Sequence, residues 1–342
     1  MSRVPHPSGV DILFDTKWHQ YKVGNCAFRS VSKLLDKFFP FDEKRALAAV
    51  SKKTGQTVEE VKASWNRQAL LGKNIHEYIE CKLRGLPPPT WTLLLKRKRR
   101  KEEAALLQDE TKIKKKKKKK KIHGDPLNHG DNAAEGDTKP EASRKKKDFL
   151  DTVLHGEEEA YMVVADRVVE TIENNYDIVA VEQVVASLSW GIAGTIDFVA
   201  RNKRTGKLLI GDWKTSGTVT SGFRFGHFET PCEGCLMHLP NSRFHRYAMQ
   251  VIVYGEILKY EHYLENGFFG KKIEPLNSEI GEISLTPDMV GEALEYGVIQ
   301  MQKNEVGSVC VDFKEVKESI VMPMDATDYT FMQLLQGVMR GL

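Results

Sequence analysis

The sequence predicts an α/β protein, and three observations carry that expectation. Segments 192–200 and 207–213 are rich in branched and apolar residues and flank turn chemistry at 202–206, the pattern of a β-hairpin. Segment 148–176 places Val153, Leu154, Tyr161, Val164, Val168 and Ile172 at helical spacing. A Thr57-Val58-Glu59-Glu60 cap pattern opens a further helix over 57–83.

In chain order, a mostly polar opening precedes a helix at 28–39, capped near Ser30 or Ser32, and another at 42–53. The helix at 57–83 contains Gly72, His76 and Glu80. His76 and Glu80 are four apart and share a helix face, with Gly72 one turn before them. Glu80 stands where a zinc-protease HExxH signature needs its second histidine, so that signature is not met. Taken alone, His76 is either a structural histidine or a ligand. The three prolines at 87–89 end the helix.

A change of character follows. Residues 96–121 hold 15 Lys/Arg against 4 Asp/Glu, a local charge of +11, which leaves 36 basic and 43 acidic residues elsewhere, or −7. Like charges at this density repel and bury no core, so 85–147 is expected to lack fixed structure, with a transient helix at 93–107. It reads either as a nucleic-acid tether or nuclear localisation signal, or as a solvated insertion without a dedicated role. The expected organisation is an N-terminal helical part at 1–84, this insertion at 85–147 and a core at 148–342.

Within the core, the strand at 178–188 contains Glu182, and the hairpin follows. A loop at 217–240 leads to a long helix at 242–263 with Tyr247, Gln250 and Tyr254, the last two on one face. Weaker strands at 282–285 and 309–313 and a helix near 325–339 complete the chain. Asp197 lies near the end of the first hairpin strand, and Asp212 and Lys214 lie at the end of the second. Side chains two apart on a strand share a face, so Asp212 and Lys214 point together and Trp213 points away. The hairpin brings Asp197 alongside Asp212. Two carboxylates and an ammonium on one surface suit Mg²⁺ or Mn²⁺, which favour oxygen ligands, and an attacking water.

Composition bounds the classes. With 342 residues and 41% hydrophobic content the chain can bury a sizeable core, and no apolar run approaches the roughly 20 residues of a membrane span. Residues 1–25 carry acidic groups and no apolar h-region, so neither a secretory signal nor a transit peptide is expected. Five scattered cysteines fit a reducing interior, and an intracellular location, the nucleus ahead of the mitochondrion, is the expectation. Cys232 and Cys235, with His227, His238 and His245 nearby, have partial spacing for structural Zn²⁺, against the plainer reading of a polar loop. No GxxxxGK[ST] phosphate loop occurs, so there is no sign of an intrinsic helicase motor.

The order of short motifs then becomes informative. Gly72/His76, Glu182, Gly194/Asp197, Asp212/Lys214 and Gln250/Tyr254 give GxxxH on a helix, Glu on a strand, GxxD, DxK and QxxxY. This series resembles the RecB-like branch of the PD-(D/E)XK nuclease superfamily, and is similar to viral, phage and protist members related to mitochondrial genome maintenance exonucleases. His19-Gln20-Tyr21, Ser30-Val31-Ser32 and His238-Leu239-Pro240 add to the likeness. The resemblance implies a restriction-endonuclease-like core: a central mixed sheet of four or five strands flanked by helices, with an N-terminal helical subdomain supplying His76. It further implies that Asp197, Asp212, His76 and the Trp213 backbone carbonyl hold Mg²⁺ or Mn²⁺. Lys214 would position the attacking water, and Gln250 and Tyr254 would hold Lys214, the backbone or the substrate strand. Glu182 would support the site or pair with a nearby cation. The iron–sulfur cysteines of some relatives are absent, so no cluster is expected. The implied activity is a metal-dependent deoxyribonuclease, a single-strand or end-directed exonuclease in repair, recombination or genome maintenance, with DNA and a helicase or replication/repair protein as partners and no membrane. Its rival is a catalytically weak nucleic-acid-binding protein that uses the lysine-rich arm.

Overall fold

The computed structural model describes residues 1–95, 157–215, 230–264, 269, 294–304, 308–322 and 328–341. The chain divides into two compact units, one of Met1–Pro87 with Glu159–Leu342 and one of Pro88–Glu158. Residues 96–147 of the lysine-rich insertion, most of the 93–107 helix, residues 148–156 of the 148–176 helix with Val153 and Leu154, the 282–285 strand and residues 216–229 of the loop lie outside the described residues.

The larger unit is α/β, with a central mixed sheet flanked by helices. Among the described residues the sheet has nine strands, where four or five were expected. The excess comes mainly from the opening segment. Residues expected to be irregular, and then helical from 28, instead form an antiparallel meander of β1 (Ser2–Pro5), β2 (Asp11–Asp15), β3 (Gln20–Val23) and β4 (Cys26–Ser30). The N-terminal part is therefore not wholly helical. The physical reason is alternation: Ile12 and Phe14 of β2 are buried, and with Tyr21 they pack on Val184, Ala186 and Ala193. A two-residue turn at Gly24-Asn25 closes β3 on β4, with Gly24 at φ 56, a left-handed conformation that glycine adopts without a Cβ penalty.

Ser30 ends β4 and also caps α1 (Val31–Leu35), its hydroxyl accepting from the Lys33 N–H. The cap thus falls where the sequence placed it, while the helix is shorter than 28–39. Helix α2 (Glu43–Thr54) is capped by Asp42 and stops at left-handed Gly55. Helix α3 (Val58–Leu83) opens with the expected capping box, Thr57 Oγ1 accepting from Glu60 N and Glu60 accepting from Thr57 N. Helix α4 (Glu158–Asn175) then leads into the sheet.

Strands β5 (Tyr176–Ser187), β6 (Ile192–Asn202) and β7 (Leu208–Lys214) pair antiparallel, and β4 joins β6 in parallel through Arg29↔Ile192 and Ser30↔Ala193. After β7 the chain passes through α5 (Arg243–Tyr260) and returns as β8 (Leu294–Lys303), parallel to β7. Such a return needs a crossover, which α5 supplies. The sequence reading passed over β8; β9 (Val309–Val316) pairs antiparallel with it, and α6 (Asp328–Arg340) follows. Helices cover both faces. Tyr296 and Lys214 contact α5, whereas Leu209, Ile299 and Phe313 line a groove with Val168 and Ile172 of α4. No helix among the described residues is long and apolar enough to cross a membrane.

Gly211 shows how tightly the hairpin is built. It stands opposite Phe198, and a Cβ there would lie 2.0 Å from the Phe198 ring. That ring is fully buried and packs on Trp213 at 4.8 Å between centroids, so it has nowhere to retreat. Gly211→Ala is expected to lower stability by about 1–3 kcal/mol, read as a lower urea midpoint at unchanged slope. An unchanged midpoint would mean that the ring moves freely.

Candidate metal centre

The site begins with the anchoring of α3, because His76 is its contribution. Near its middle, Gln68 Nε2 donates to the Thr215 carbonyl at 2.6 Å. Beyond His76, the Tyr78 hydroxyl donates to Asp166 of α4 at 2.7 Å, and Lys82 pairs with the same carboxylate at 2.9 Å. At its end, the Arg84 guanidinium donates to the Val181 carbonyl of β5 at 2.7 Å. Gly72 lets the helix approach the end of β7: a Cβ there would lie 2.7 Å from Thr215 Oγ1. The glycine of GxxxH is thus a contact requirement one turn before the histidine.

Three carboxylates then line up across three strands. The β5–β6 ladder pairs Val181 with Phe198 and Gln183 with Ile196, which sets Glu182 opposite Asp197. The β6–β7 ladder stops at Phe198↔Gly211, and one step further in the same register Asp197 faces Asp212. The Phe198 and Trp213 rings pack on each other at a tilt, so Trp213 does point away from Asp212 as expected. The Trp213 N–H donates to Asp197 Oδ2 at 2.7 Å. Glu182 has φ 49, a left-handed conformation costly for a residue with a Cβ. Arg84, bonded to the carbonyl just before it, holds that kink in place.

His76, Glu182 and Asp197 each offer a ligand atom, and the three atoms lie within 4.8 Å of one another. Among the described residues this is the one such group of three. The His76 Nδ1 to Asp197 Oδ2 distance is 3.7 Å. The sequence offered Glu182 a supporting or cation-pairing role; register and the kink bring it into the group. Asp212 stands beside the group rather than in it, because Lys214 holds it: Nζ donates to Oδ1 at 2.7 Å and lies 2.6 Å from Oδ2. The Oδ2 contact lacks hydrogen-bond geometry, leaving a buried acceptor without a hydrogen bond.

Lys214 is clamped from its other side by Tyr247, whose ring centroid is 4.8 Å from Nζ. Tyr247 is the aromatic partner that sequence reasoning did not assign; its spacing three before Gln250 and seven before Tyr254 was the available signal. Gln250 donates to the Tyr254 hydroxyl at 3.3 Å, so these two hold each other. The Tyr254 ring lies against Gly194, where a Cβ would come within 2.5 Å. The glycine of GxxD is therefore the seat of the tyrosine of QxxxY.

Electrostatics follow from this crowding. Burial, then the neighbouring Asp197, pushes the Glu182 carboxyl up to about 8. Burial also raises Asp197 and Asp212, with the Lys214 ammonium opposing. Burial works against the charge on Lys214, but Asp212 and Asp197 outweigh it and keep the ammonium above its usual pKa. Burial, then Lys214, drives His76 down to about 4, so at neutral pH its imidazole is the uncharged form that ligates metals. Clustered carboxylates with one unsatisfied buried oxygen and a neutral imidazole fit a divalent cation with mixed oxygen and nitrogen ligands.

His76, Glu182 and Asp197 floor an open cleft of ≈610 Å³ that His19, Tyr21, Ser30 and Ser32 also line. Cys232 lies apart, packed with Phe38, Leu236 and Leu239, and burial pushes its thiol up to about 12. His238 bonds the Val321 carbonyl at 2.8 Å, His245 bonds Ser242, and His227 is outside the described residues. Among the described residues no group of three metal-ligating side chains includes Cys232 or Cys235. Comparison of the sequence with protein-family models and with curated proteins finds no significant match.

The site predicts its own metal dependence. Mn²⁺ should raise the thermal midpoint of the intact chain in a saturable way, because a cation that binds only the folded state stabilises it. Asp197→Asn or Glu182→Gln should weaken that effect by at least about 10-fold in metal concentration. Equal midpoints with and without Mn²⁺ would exclude the centre.

Proposed function

We propose that the chain is a metal-dependent deoxyribonuclease with a PD-(D/E)XK-type core of the RecB-like branch. The observation that carries this reading is the convergence of His76, Glu182 and Asp197 within 4.8 Å beside the Asp212–Lys214 pair. Four of the five motifs scattered over the sequence line one cleft, and two motif glycines seat the neighbouring elements. The order of elements supports it too: β5, β6 and β7 antiparallel, then α5, then β8 parallel to β7.

His76, Glu182 and Asp197 would hold Mg²⁺ or Mn²⁺, beside the Asp212 carboxylate that faces Asp197 in the β6–β7 register. When bound, the cation supplies Lewis-acid polarisation of a phosphoryl oxygen. The chain's own groups do the rest. Lys214, fixed by Asp212 and Tyr247, presents a half-buried ammonium where negative charge grows on the phosphoryl group, and it orients the attacking water. The Trp213 N–H keeps one Asp197 oxygen in place, and the neutral imidazole of His76 adds a ligand without adding charge. DNA is the substrate of this reading, single-stranded or with free ends.

The test is end-labelled single- and double-stranded DNA incubated with purified protein, with and without Mg²⁺. Cleavage should require the cation. Asp212→Asn or Lys214→Ala should lower turnover by at least about 10²–10³-fold while far-UV circular dichroism stays unchanged. Near-normal turnover in either variant would refute the assignment. DNA binding without any Mg²⁺-dependent cleavage in the wild type would favour a binding protein instead.

A further inference from the structure

The cleft has walls that the hydrolytic site does not use. On one side the turn between β2 and β3 carries Trp18, 64% exposed, and Trp18 and His19 line the cleft together with His76, Glu182 and Asp197. This turn is firmly built. Asp15 Oδ1 accepts from the Lys17 and Trp18 N–H groups at 3.0 and 3.1 Å, His19 takes a left-handed backbone at φ 47, and its ring packs on Phe14 at 5.4 Å. The indole is therefore presented by a fixed turn. The Lys17 ammonium lies 5.0 Å from the Trp18 ring centroid, and exposed Lys33 and Lys73 line the cleft from α1 and α3.

Single exposed aromatics are common on protein surfaces. Three features separate Trp18 from that background: it lines a cleft, the cleft floor holds the carboxylate group, and one ammonium group lies beside the ring while two more line the cleft. Ammonium groups beside an exposed ring are what an unpaired nucleic-acid strand requires, the cations for its phosphates and the ring for a base. A base inside a duplex already stacks on both neighbours and offers no free face.

We propose that Trp18 is a stacking platform for an unpaired nucleobase of the strand lying over the carboxylates, and that it is a specificity-determining residue for single strands. The inference rests on the hydrolytic reading above for what lies on the cleft floor. Lys17, Lys33 and Lys73 then hold phosphates flanking the stacked base. Stacking tolerates any base, so the platform selects strandedness and not sequence.

The experiment measures binding by fluorescence anisotropy, with the intact chain in Ca²⁺. The probes are a labelled oligothymidylate and an abasic strand of equal length. Trp18→Ala should weaken oligothymidylate binding roughly 5- to 100-fold and leave the abasic strand unchanged, with Trp18→Phe recovering most of the loss. An equal loss on both strands, no loss on either, or no binding by the wild type would each overturn the proposal. Mg²⁺-dependent cleavage by the same wild-type preparation separates the two readings. Cleavage with unaltered oligothymidylate binding by Trp18→Ala sinks the platform alone. A base-dependent Trp18 effect without cleavage sinks the nuclease reading alone.

Discussion

Carboxylates drawn together out of water repel one another, and the architecture around Asp197 is largely a response to that repulsion. Glu182, Asp197 and Asp212 occupy matching positions on three neighbouring strands, with the Lys214 ammonium as the cation paired directly with Asp212. Each is held by something that does not depend on the charge balance. Ladder register fixes the backbone, the Trp213 N–H fixes Asp197, Arg84 fixes the kink at Glu182, and Tyr247 backs Lys214. Strain at φ 49 is tolerated because the surrounding structure over-determines it. In the proposed reading such a site lowers stability when empty and recovers it when a cation enters, a common exchange of stability for function.

Two short motifs acquire a physical meaning from close approach. Gly72 brings α3 onto Thr215, and Gly194 lets the Tyr254 ring rest on β6. In both cases the glycine belongs to one element and its consequence to another, so the spacing within a motif describes local geometry while the glycine records a long-range contact. The helix that bears His76 and the helix that bears Tyr254 are thereby set against the same three strands without a residue in common.

Much of the core was legible because its signals are local. Branched residues at 192–200, the Thr57–Glu60 cap and the alternation of Asp212 and Lys214 around Trp213 each depend on a few neighbours in sequence. The meander escaped notice because its strands are short and only half apolar, yet Gly24-Asn25 between Val23 and Cys26 is a recognisable hairpin turn. Strand β8 was missed although seven of its ten residues, Leu294 and Tyr296 to Met301, are buried, because Glu295, Gly297, Gln300 and Gln302 interrupt its apolar run. The place of Glu182 depended on pairing register and a backbone kink, and the role of Tyr247 on where Lys214 bends. Those are tertiary facts, invisible to periodicity.

The shared carboxylate of Asp166 has a consequence for chain topology. Tyr78 and Lys82, just before the lysine-rich insertion, and Asp166, just after it, fasten the two ends of that insertion to each other within the larger unit. The chain between them is therefore a closed loop, and the entropy of closing it grows only with the logarithm of its length, about 0.6 kcal/mol for each doubling. Length can be gained or lost there at little thermodynamic penalty, and His76 on the near side of the clasp keeps its distance to Asp197 whatever the loop contains.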